Sequence, residues 1–448
     1  MTIYFTYTAR RKPVKKKLML MLTVALALCL IAQAALAAPE GYTLRQVTIL
    51  SRHNLRAPLS SNGSVPEELT PHAWNAWTGN SSELTLKGGA LEIRMGQYFR
   101  KWLEGEGLIP ENYVPTDGEV RFFARNKQRC IATARYFATG MMPLADTVVE
   151  YTGDANHPDD IFKPVLRYYS DAYAEAAIAN VNEIADENGF ASASEALKDG
   201  IALVMDVVDM ADSEIYQSGK YGDLLADPSG INLEPDQEPD LYGPIKTANQ
   251  VADALMLQYY EMPDPVAAAF GHELTEEQWK QIVDVKETFG MLRHGAPLVA
   301  LSVANPVVKD IYSELKNENR VFSFSCAHDC TILGVLSSLG VKDYTLPNTL
   351  EMHTPIGVKL VFQRLTDEAG ANWYDVSMIY QSTQQTREVS ELTLDNPPMR
   401  YALDFKGVEK NADGLIAEAD LLGLFEGAMD AFDHLDEQYG ETEMDAAA

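Results

Sequence analysis

Short apolar runs alternate with amphipathic segments along much of the chain. The apolar runs are partly β-branched, as in strands buried on both faces, and the segments between them repeat apolar residues every three or four positions, as in helices. The predicted strands are Gln46–Ser51, Val120–Ala124 and Val321–Ser325, and the predicted helices are Thr85–Leu103, Gln128–Thr139 and Thr331–Leu339. Near the end, Val358–Arg364 and Tyr374–Tyr380 alternate like the strands of a hairpin. The pattern predicts an α/β fold with a mixed central sheet flanked by helices.

The middle of the chain is different, because helical periodicity dominates from Pro164 to about Leu292. The helices predicted there are Tyr173–Asn188, Ala193–Met210, Ile245–Tyr260 and Glu276–Phe289. We predict a mostly helical cap domain, residues 164–292, inserted between two parts of the α/β domain, residues 38–163 and 293–448. A cap over an active site and a separately packed bundle both fit this pattern.

The first 37 residues have the three parts of a secretory signal peptide. A basic segment precedes the apolar run Leu18–Ala32, and Ala35-Leu36-Ala37 fits a small-x-small cleavage site. The apolar run is shorter than the roughly 20 residues of a membrane span, although an uncleaved anchor remains an alternative. We expect cleavage of residues 1–37 and a soluble protein that is periplasmic or secreted.

Charge excludes one class of partner. The 448 residues include 36 Lys and Arg against 65 Asp and Glu, a formal net charge of −29. Residues 1–37 hold six of the basic residues and no acidic ones, so the mature chain would carry −35. A nucleic-acid binder needs a basic face, and no Lys/Arg-rich stretch follows the N-terminus. A hydrophobic content of 46% also argues against disorder.

One polar segment directly follows the first predicted strand: residues 51–58 read Ser-Arg-His-Asn-Leu-Arg-Ala-Pro. The carboxyl ends of strands are where α/β sheets bind ligands. Arg52 and Arg56 offer planar, forked donors that match phosphate oxygens, and His53 can be a base, a ligand or a nucleophile. A basic surface loop is the alternative.

Two further clusters follow strands. His328 and Asp329 lie between the strand Val321–Ser325 and a helix, which suits anion binding and proton donation. A helix-capping Asp beside an incidental His fits equally well. Arg125 and Arg129 flank another strand-to-helix junction, where they add charge to the same pocket or are solvated at the surface.

Taken together, these motifs resemble the histidine acid phosphatase superfamily, in the branch of phytases and acid phosphatases. The family's general pattern has Gly after the motif His, and Asn54 is instead similar to the bacterial periplasmic glucose-1-phosphatase subgroup. Further similar stretches are residues 61–65, 257–261, 354–357, 361–364 and 380–382. The resemblance runs from about Tyr42 to Phe432.

The resemblance implies a role for each motif residue. His53 would be the nucleophile that forms a phosphohistidine, and His328 would complete the phosphate pocket. Asp329 would protonate the leaving oxygen and then activate water. The phosphoryl oxygens would be held by Arg52, Arg56 and Arg129.

Two of the implied roles involve a choice. Arg129 is preferred to Arg125 because Gln-Arg followed by a small residue matches the family's third arginine. Glu238 would reach the hydroxyl-bearing part of the substrate, with a solvated loop glutamate as the alternative. No metal and no cofactor are implied, because guanidinium groups supply the positive charge.

The function that follows is an exported acid phosphatase acting on a small-molecule phosphate monoester, such as glucose 1-phosphate. The main alternative is a phytase, which acts on inositol hexakisphosphate. Few cations occur in the helical region, which favours a substrate with one phosphate: Arg167, Lys198, Lys220, Lys246, Lys280 and Lys286. A non-catalytic phosphosugar-binding protein and a phosphoglycerate-mutase-like transferase are less favoured. No membrane partner is expected after signal cleavage, and a homodimer is left open.

Some residues are given ordinary structural roles. Arg293-His294-Gly295-Ala296-Pro297 is similar to the motif but follows a helix, so we interpret it as a helix end with Gly295 left-handed. Ordinary roles are also expected for His72, His157, His272, His353 and His434. The mature chain keeps Cys130, Cys326 and Cys330. The main interpretations of these cysteines are buried thiols or one disulfide, and a zinc site is a weaker interpretation. A bridge between Cys130 and Cys330 is a hypothesis.

Overall fold

The structure is a computed structural model that describes residues 37–59, 65–153, 159–185 and 188–440. The expected signal peptide up to Leu36, residues 61–64 of the resembling stretch, and His157 lie outside the described residues.

Eight strands form one mixed sheet, in the order β10-β8-β7-β1-β6-β2-β3 with β9 also paired to β8. The strands β1, β6, β2 and β3 run parallel to one another, and the pairs β1–β7, β7–β8, β8–β9 and β8–β10 are antiparallel. These strands are β1 (Tyr42–Arg52), β2 (Val120–Arg125), β3 (Val149–Thr152), β6 (Phe322–Ala327), β7 (Lys359–Asp367), β8 (Asn372–Tyr380), β9 (Met399–Ala402) and β10 (Ile416–Ala417). The remaining two, β4 (Gly230–Asn232) and β5 (Asp240–Tyr242), form a separate hairpin.

The helices of the described residues flank the sheet or lie in the middle of the chain. Those on the faces of the sheet are α2 (Leu86–Gly105), α3 (Gln128–Met141), α10 (Pro297–Leu315), α11 (Asp329–Ser338) and α13 (Glu418–Asp433). The short helices α1 (Val65–Glu68), α12 (Thr383–Glu388) and α14 (Leu435–Tyr439) contact helices of the middle region. Those in the middle are α4 (Asp171–Ile184), α5 (Phe190–Val207), α6 (Glu214–Gln217), α7 (Pro244–Glu261), α8 (Pro265–Ala268) and α9 (Glu276–His294), with a short 3₁₀ turn at Met210–Asp212.

Helices cover both faces of the sheet. Apolar residues of α2 and α3 pack on one face, and those of α10, α11 and α13 pack on the other. Helices α2 and α3 approach closely at two glycines: a Cβ on Gly96 would lie 2.2 Å from the Phe137 carbonyl oxygen, and one on Gly140 would lie 2.3 Å from the Ile93 carbonyl oxygen. This contact fixes α3 against the sheet and thereby places the loop that precedes it.

The elements predicted from periodicity are confirmed, with their ends shifted by a few residues. The fold class is confirmed as well, since the sheet is mixed and flanked by helices. The middle region is mainly helical, and α4, α5, α7 and α9 build a core of their own. The division into a cap domain and an α/β domain stays a prediction.

One local prediction is wrong. Helix α9 does end at His294, but Gly295 has φ −86° and ψ −17°, which is right-handed. The chain does not reverse there, because Pro297 opens helix α10 almost at once. A left-handed residue would turn the chain away from that second helix.

Candidate active site

Three parallel strands deliver polar side chains to one edge of the sheet. The carboxyl ends of β1 and β2 lie on either side of β6, with Arg52 level with Ala327 and Ala124 level with Cys326. The backbone nitrogen of His53 donates a hydrogen bond to the Ala327 carbonyl at 3.0 Å. The motif after β1 and the His328–Asp329 pair after β6 are therefore neighbours across one ladder.

The loop that carries His53 is held in place through Asn54. The Asn54 amide donates to the Glu92 carboxylate at 2.6 Å, and its backbone nitrogen donates to the Thr133 hydroxyl at 3.1 Å. Gly357, at φ +71°, lies against the same amide, and a Cβ there would be 2.4 Å from Asn54 Nδ2. The asparagine thus has a positioning role, fastening the loop to helices α2 and α3.

The His53 ring is neutral and has one unprotonated nitrogen. Its Nδ1 lies 2.9 Å from the Asn54 carbonyl oxygen, which can only accept a hydrogen bond, so Nδ1 carries the proton and Nε2 keeps its electron pair. Burial lowers the pKa of His53 well below its usual value, and the charges of Arg129, His328 and Arg52 lower it further. The ring therefore stays unprotonated at the acidic pH where a free histidine would be charged.

Cationic groups surround this ring. The ring of His328 lies edge-on to that of His53, with 5.2 Å between centroids. One Arg129 nitrogen lies 3.5 Å from His328 Nε2, and burial together with the nearby Arg56 lowers the pKa of Arg129. Arg56 is paired with Asp253 of helix α7 at 2.9 Å. Positive groups are thus concentrated at one point, as an anion site requires.

Asp329 opens helix α11, and a third of its side-chain surface is accessible. Its Oδ2 lies 3.4 Å from Arg52 and 3.3 Å from Lys286. Burial alone would raise the pKa of Asp329, but Arg52, Lys286 and His53 outweigh burial and hold that pKa well below its usual range. The carboxyl group is therefore ionised when no phosphate is bound.

Glu238, which precedes strand β5, lies between two arginines. Its Oε2 is 3.1 Å from Arg293 of helix α9, and its Oε1 is 3.6 Å from Arg125 at the end of β2. Arg125 also lies 3.4 Å from Asp159. Both of its oxygens are thus paired with arginines on the cavity wall, and 36% of its side chain is exposed.

All the residues proposed from the sequence line one cavity of about 570 Å³. They are Arg52, His53, Arg56, Arg129, Glu238, His328 and Asp329. Their common location supports the roles assigned to them, and the roles themselves stay predictions. Within the described ranges, no cluster of His, Cys, Asp or Glu side chains has the arrangement of a metal site.

The sequence reasoning missed part of the cavity wall. Lys286, Gly290, Arg293 and His294 of helix α9 line it, as does His353, for which an ordinary role was expected. The α9 residues are spaced four, three and one positions apart and so share one helical face. The spacing of the polar residues Lys286, Arg293 and His294 was the sequence signal for this part of the cavity wall. It was obscured because the same helix also has an apolar face.

The cysteines do not form a bridge. Cys130, Cys326 and Cys330 are all free, so the hypothesis of a Cys130–Cys330 disulfide is wrong. The Cys130 sulfur lies 3.5 Å from the Ala327 carbonyl oxygen and 3.9 Å from His328 Nδ1. The Cys130 sulfur therefore points toward the Ala327 carbonyl and the His328 ring.

His294 makes stability depend on pH. Burial lowers its pKa to about 3, against an ordinary value of 6.5. Between these two pH values the unfolded chain binds a proton at His294 that the folded protein does not bind. The stability that the neutral ring contributes is therefore complete above pH 6.5 and is lost as pH falls toward 3. Between pH 7 and pH 4, wild type should lose about 3 kcal/mol more unfolding free energy than His294→Leu, by urea titration.

An exposed histidine provides the control for that titration. Hydrogen bonding to the Asp430 backbone, with the Asp430 charge, raises the pKa of His434, so His434→Leu should alter the pH dependence slightly in the opposite sense. Equal pH dependence in wild type and His294→Leu would contradict the assignment of a neutral buried ring.

Comparison with known proteins identifies relatives over most of the chain. The profile of the family described as Histidine phosphatase superfamily (branch 2) matches residues 43–381. A glucose-1-phosphatase of Salmonella typhimurium is 36% identical over 405 residues, which cover 89% of this chain and 96% of that protein. Phytase AppA of Escherichia coli is 27% identical, covering 84% and 90%. The apo Hafnia alvei phytase structure has a TM-score of 0.80 at 26% identity, covering 88% and 99%.

Proposed function

Because the chain belongs to the histidine phosphatase superfamily (branch 2), we propose that it is an exported acid phosphatase that hydrolyses phosphate monoesters through a phosphohistidine on His53. One observation carries the proposal. His53 has a neutral, buried ring whose Nε2 is free to attack, in a cavity that it shares with Arg52, Arg56 and Arg129. Such a cavity places a nucleophile beside the groups that neutralise a phosphoryl group.

In the first step, the Nε2 electron pair of His53 forms a bond to phosphorus. The bond from phosphorus to the leaving oxygen breaks, and the proton of Asp329 moves to that oxygen. Arg52, Arg56 and Arg129 balance the charge on the phosphoryl oxygens, with His328 at the start of helix α11. The products of this step are the alcohol and a phosphohistidine.

In the second step, Asp329 takes a proton from water as the water oxygen attacks phosphorus. The bond from phosphorus to His53 breaks, and inorganic phosphate leaves. Asp329 is thereby protonated again for the next turnover. Its low pKa in the ligand-free cavity keeps Asp329 ionised, so that it can accept a proton, while a bound phosphate dianion opposes its ionisation and favours the acid role.

The preferred substrates are sugar phosphates such as glucose 1-phosphate. The similarity to a glucose-1-phosphatase over most of both chains supports this proposal. So does Glu238, whose carboxylate occupies Arg125 and Arg293 and so reduces the positive charge that further phosphate groups would need. A free oxygen lone pair of Glu238 can accept a hydrogen bond from a sugar hydroxyl.

A second candidate substrate is inositol hexakisphosphate. Besides the residues already proposed, Arg125, Lys127, Lys286 and Arg293 line the cavity, which is more positive charge than one phosphate requires. The similarity to phytase AppA and to the Hafnia alvei phytase points the same way. The balance between the two candidates depends on how strongly Glu238 compensates these cations.

A rate comparison with the purified mature protein tests the proposed function. We expect kcat/KM at mildly acidic pH to be at least about tenfold higher for glucose 1-phosphate than for phytate, with glucose 6-phosphate between them. Glu238→Gln should raise the relative rate on phytate several-fold, because Arg125 and Arg293 lose their carboxylate partner. Glu234→Gln, an exposed change in the same loop, should leave the ratio unchanged.

The outcomes separate the candidates. Phytate hydrolysis at or above the glucose 1-phosphate rate would favour the phytase, and wild-type inactivity toward all three esters at every pH would refute the phosphatase. The proposed periplasmic or secreted location rests on the expected signal at residues 1–37. In the part of the chain that the structure describes, no helix is long and apolar enough to cross a membrane.

A further inference from the structure

Four side chains of alternating charge form a ring beneath the cavity. Arg52 contacts Glu351 at 2.5 Å, and Glu351 contacts Lys286 at 3.2 Å. Lys286 contacts Asp329 at 3.3 Å, and Asp329 contacts Arg52 at 3.4 Å. Each charge in this ring therefore has two neighbours of the opposite sign.

Two members of the ring, Lys286 and Glu351, are not among the proposed catalytic residues. The Lys286 side chain is 9% exposed and that of Glu351 is fully buried, so water screens neither charge well. The second oxygen of Glu351 accepts the Ile356 backbone N–H at 2.9 Å, which fixes the carboxylate in the loop before β7. Lys286 comes from helix α9, and its ammonium group contacts both Asp329 and Glu351.

We propose that Lys286 and Glu351 are positioning residues that set the charge state of Asp329. Lys286 favours the ionised form of Asp329, and Glu351 limits that effect because its carboxylate partly compensates the charges of Arg52 and Lys286. This inference rests on the proposed function, in which Asp329 is first an acid and then a base. An excess of cations would leave Asp329 without a proton for the first step. A shortage would leave it protonated, so that it could not take a proton from water in the second.

The other groups that face Asp329 do not replace this pair. His53 from β1, His328 beside it in the chain, Arg129 from α3 and His294 from α9 all interact with its charge. Burial lowers the pKa of each of these histidines, so they stay neutral over much of the acidic range. Helix α10, which also packs on α11, has its charges in other pairs: Lys309 with Asp433, Asp310 with Arg121, and Glu314 with Arg121 and Arg320.

The two residues should act with opposite sign, which a merely structural role would not produce. Without the Lys286 charge, the Asp329 carboxylate loses an attractive neighbour, so the acid keeps its proton to higher pH. Without the Glu351 charge, Arg52 and Lys286 act more strongly on Asp329, so the acid loses its proton at lower pH. General damage to the fold would lower rates at every pH without moving the two limbs apart.

The test is the pH profile of kcat for one phosphate monoester, because kcat reports the charge state of Asp329 in the enzyme–substrate complex. In Lys286→Gln the upper limb should move to higher pH by about one unit, and in Glu351→Gln it should move to lower pH by about half a unit. Lys286→Arg should restore the wild-type limb. Lys280→Gln, at a partly exposed lysine on the same helix that pairs with Glu276, should leave the profile unchanged.

The failures of this inference and of the proposed function are distinguishable. Asp329→Asn should abolish the limb and most of the rate if Asp329 is the acid. If Asp329→Asn is impaired but the limbs of Lys286→Gln and Glu351→Gln do not shift, the inference is overturned and the proposed function stands. A higher KM for Lys286→Gln at all pH values, without a limb shift, would overturn it too and make Lys286 a simple substrate contact. An Asp329→Asn variant as active as wild type would refute the acid–base role itself.

Discussion

Replacing His53 by alanine is expected to lower kcat on the order of 10⁴-fold, with little effect on folding. The ring is the only side chain that forms a bond to phosphorus in the proposed mechanism, and water cannot replace it in the first step with comparable effective concentration. Folding should survive, because burial already holds the pKa of His53 well below its usual value, so at acidic pH the variant loses an unfavourable proton linkage.

The His53→Ala rate should be measured against wild type on one chromogenic phosphate monoester, with thermal unfolding as the check on folding. His434→Ala removes an exposed histidine from the end of helix α13 and should keep the wild-type rate. A folded His53→Ala protein that keeps more than about a tenth of the wild-type kcat would show that another group attacks phosphorus.

The second large effect concerns a buried ion pair under the active-site loop. Glu92 of helix α2 and Lys359 of strand β7 lie 2.8 Å apart, and both side chains are fully buried. Lys359 also donates to the Gly357 carbonyl at 2.7 Å, and Glu92 accepts from Asn54. Removing one partner leaves the other charge buried and uncompensated, which costs about 3–5 kcal/mol of unfolding free energy.

Three variants distinguish the pair from its separate charges. Glu92→Gln and Lys359→Met should each lower the free energy of unfolding by about 3–5 kcal/mol, measured by urea titration at neutral pH. The double variant should cost less than either single variant, because it leaves no buried charge. The exposed pair Lys101 and Glu104, at 2.8 Å, is the control, and its removal should cost less than about 1 kcal/mol.

The Lys359→Met cost should also depend on pH. Burial already raises the pKa of Glu92, and loss of Lys359 removes a charge that lowers it. A carboxyl group whose pKa is higher in the folded state stabilises the fold at low pH and loses that contribution as pH rises. The cost should therefore be smaller at pH 4 than at pH 7. Additive single costs in the double variant would contradict the description of Glu92 and Lys359 as a pair.

The strand-end motifs were predictable because their placement follows from chain order and parallel pairing alone. Arg52, His53, His328 and Asp329 follow two buried strands, and parallel strands bring their carboxyl ends to one edge. Lys286 and Glu351 were not predictable in this way. Lys286 meets Asp329 only after helix α9 packs on α11, and Glu351 meets Arg52 and Lys286 only after the loop before β7 folds behind Arg52. Neither contact has a local sequence signal.

The two incorrect local predictions have a similar cause. Gly295 was expected to be left-handed, as is common after a helix, but the position of helix α10 decides its conformation. The Cys130–Cys330 bridge was a hypothesis because each cysteine neighbours a site residue. Sequence proximity does not fix side-chain direction, and the Cys130 sulfur faces the Ala327 carbonyl.

The acidity of the chain is compatible with a phosphate substrate because the positive charge is local. The formal net charge is −29, yet seven cationic side chains line the cavity: Arg52, Arg56, Arg125, Lys127, Arg129, Lys286 and Arg293. Screening limits the reach of the surface carboxylates to about 8–10 Å at physiological salt. The cavity potential therefore governs binding at short range, and the surface charge serves solubility.

The most direct test of the central claim is to trap the phosphoenzyme. Wild type mixed with a phosphate-labelled monoester and quenched within a turnover should carry label on His53, in a bond that is stable to alkali and labile to acid. His53→Ala should carry none, and Asp329→Asn should retain the label for longer because water attack lacks its base. Absence of label in wild type, or the same label in His53→Ala, would contradict a phosphohistidine mechanism at this residue.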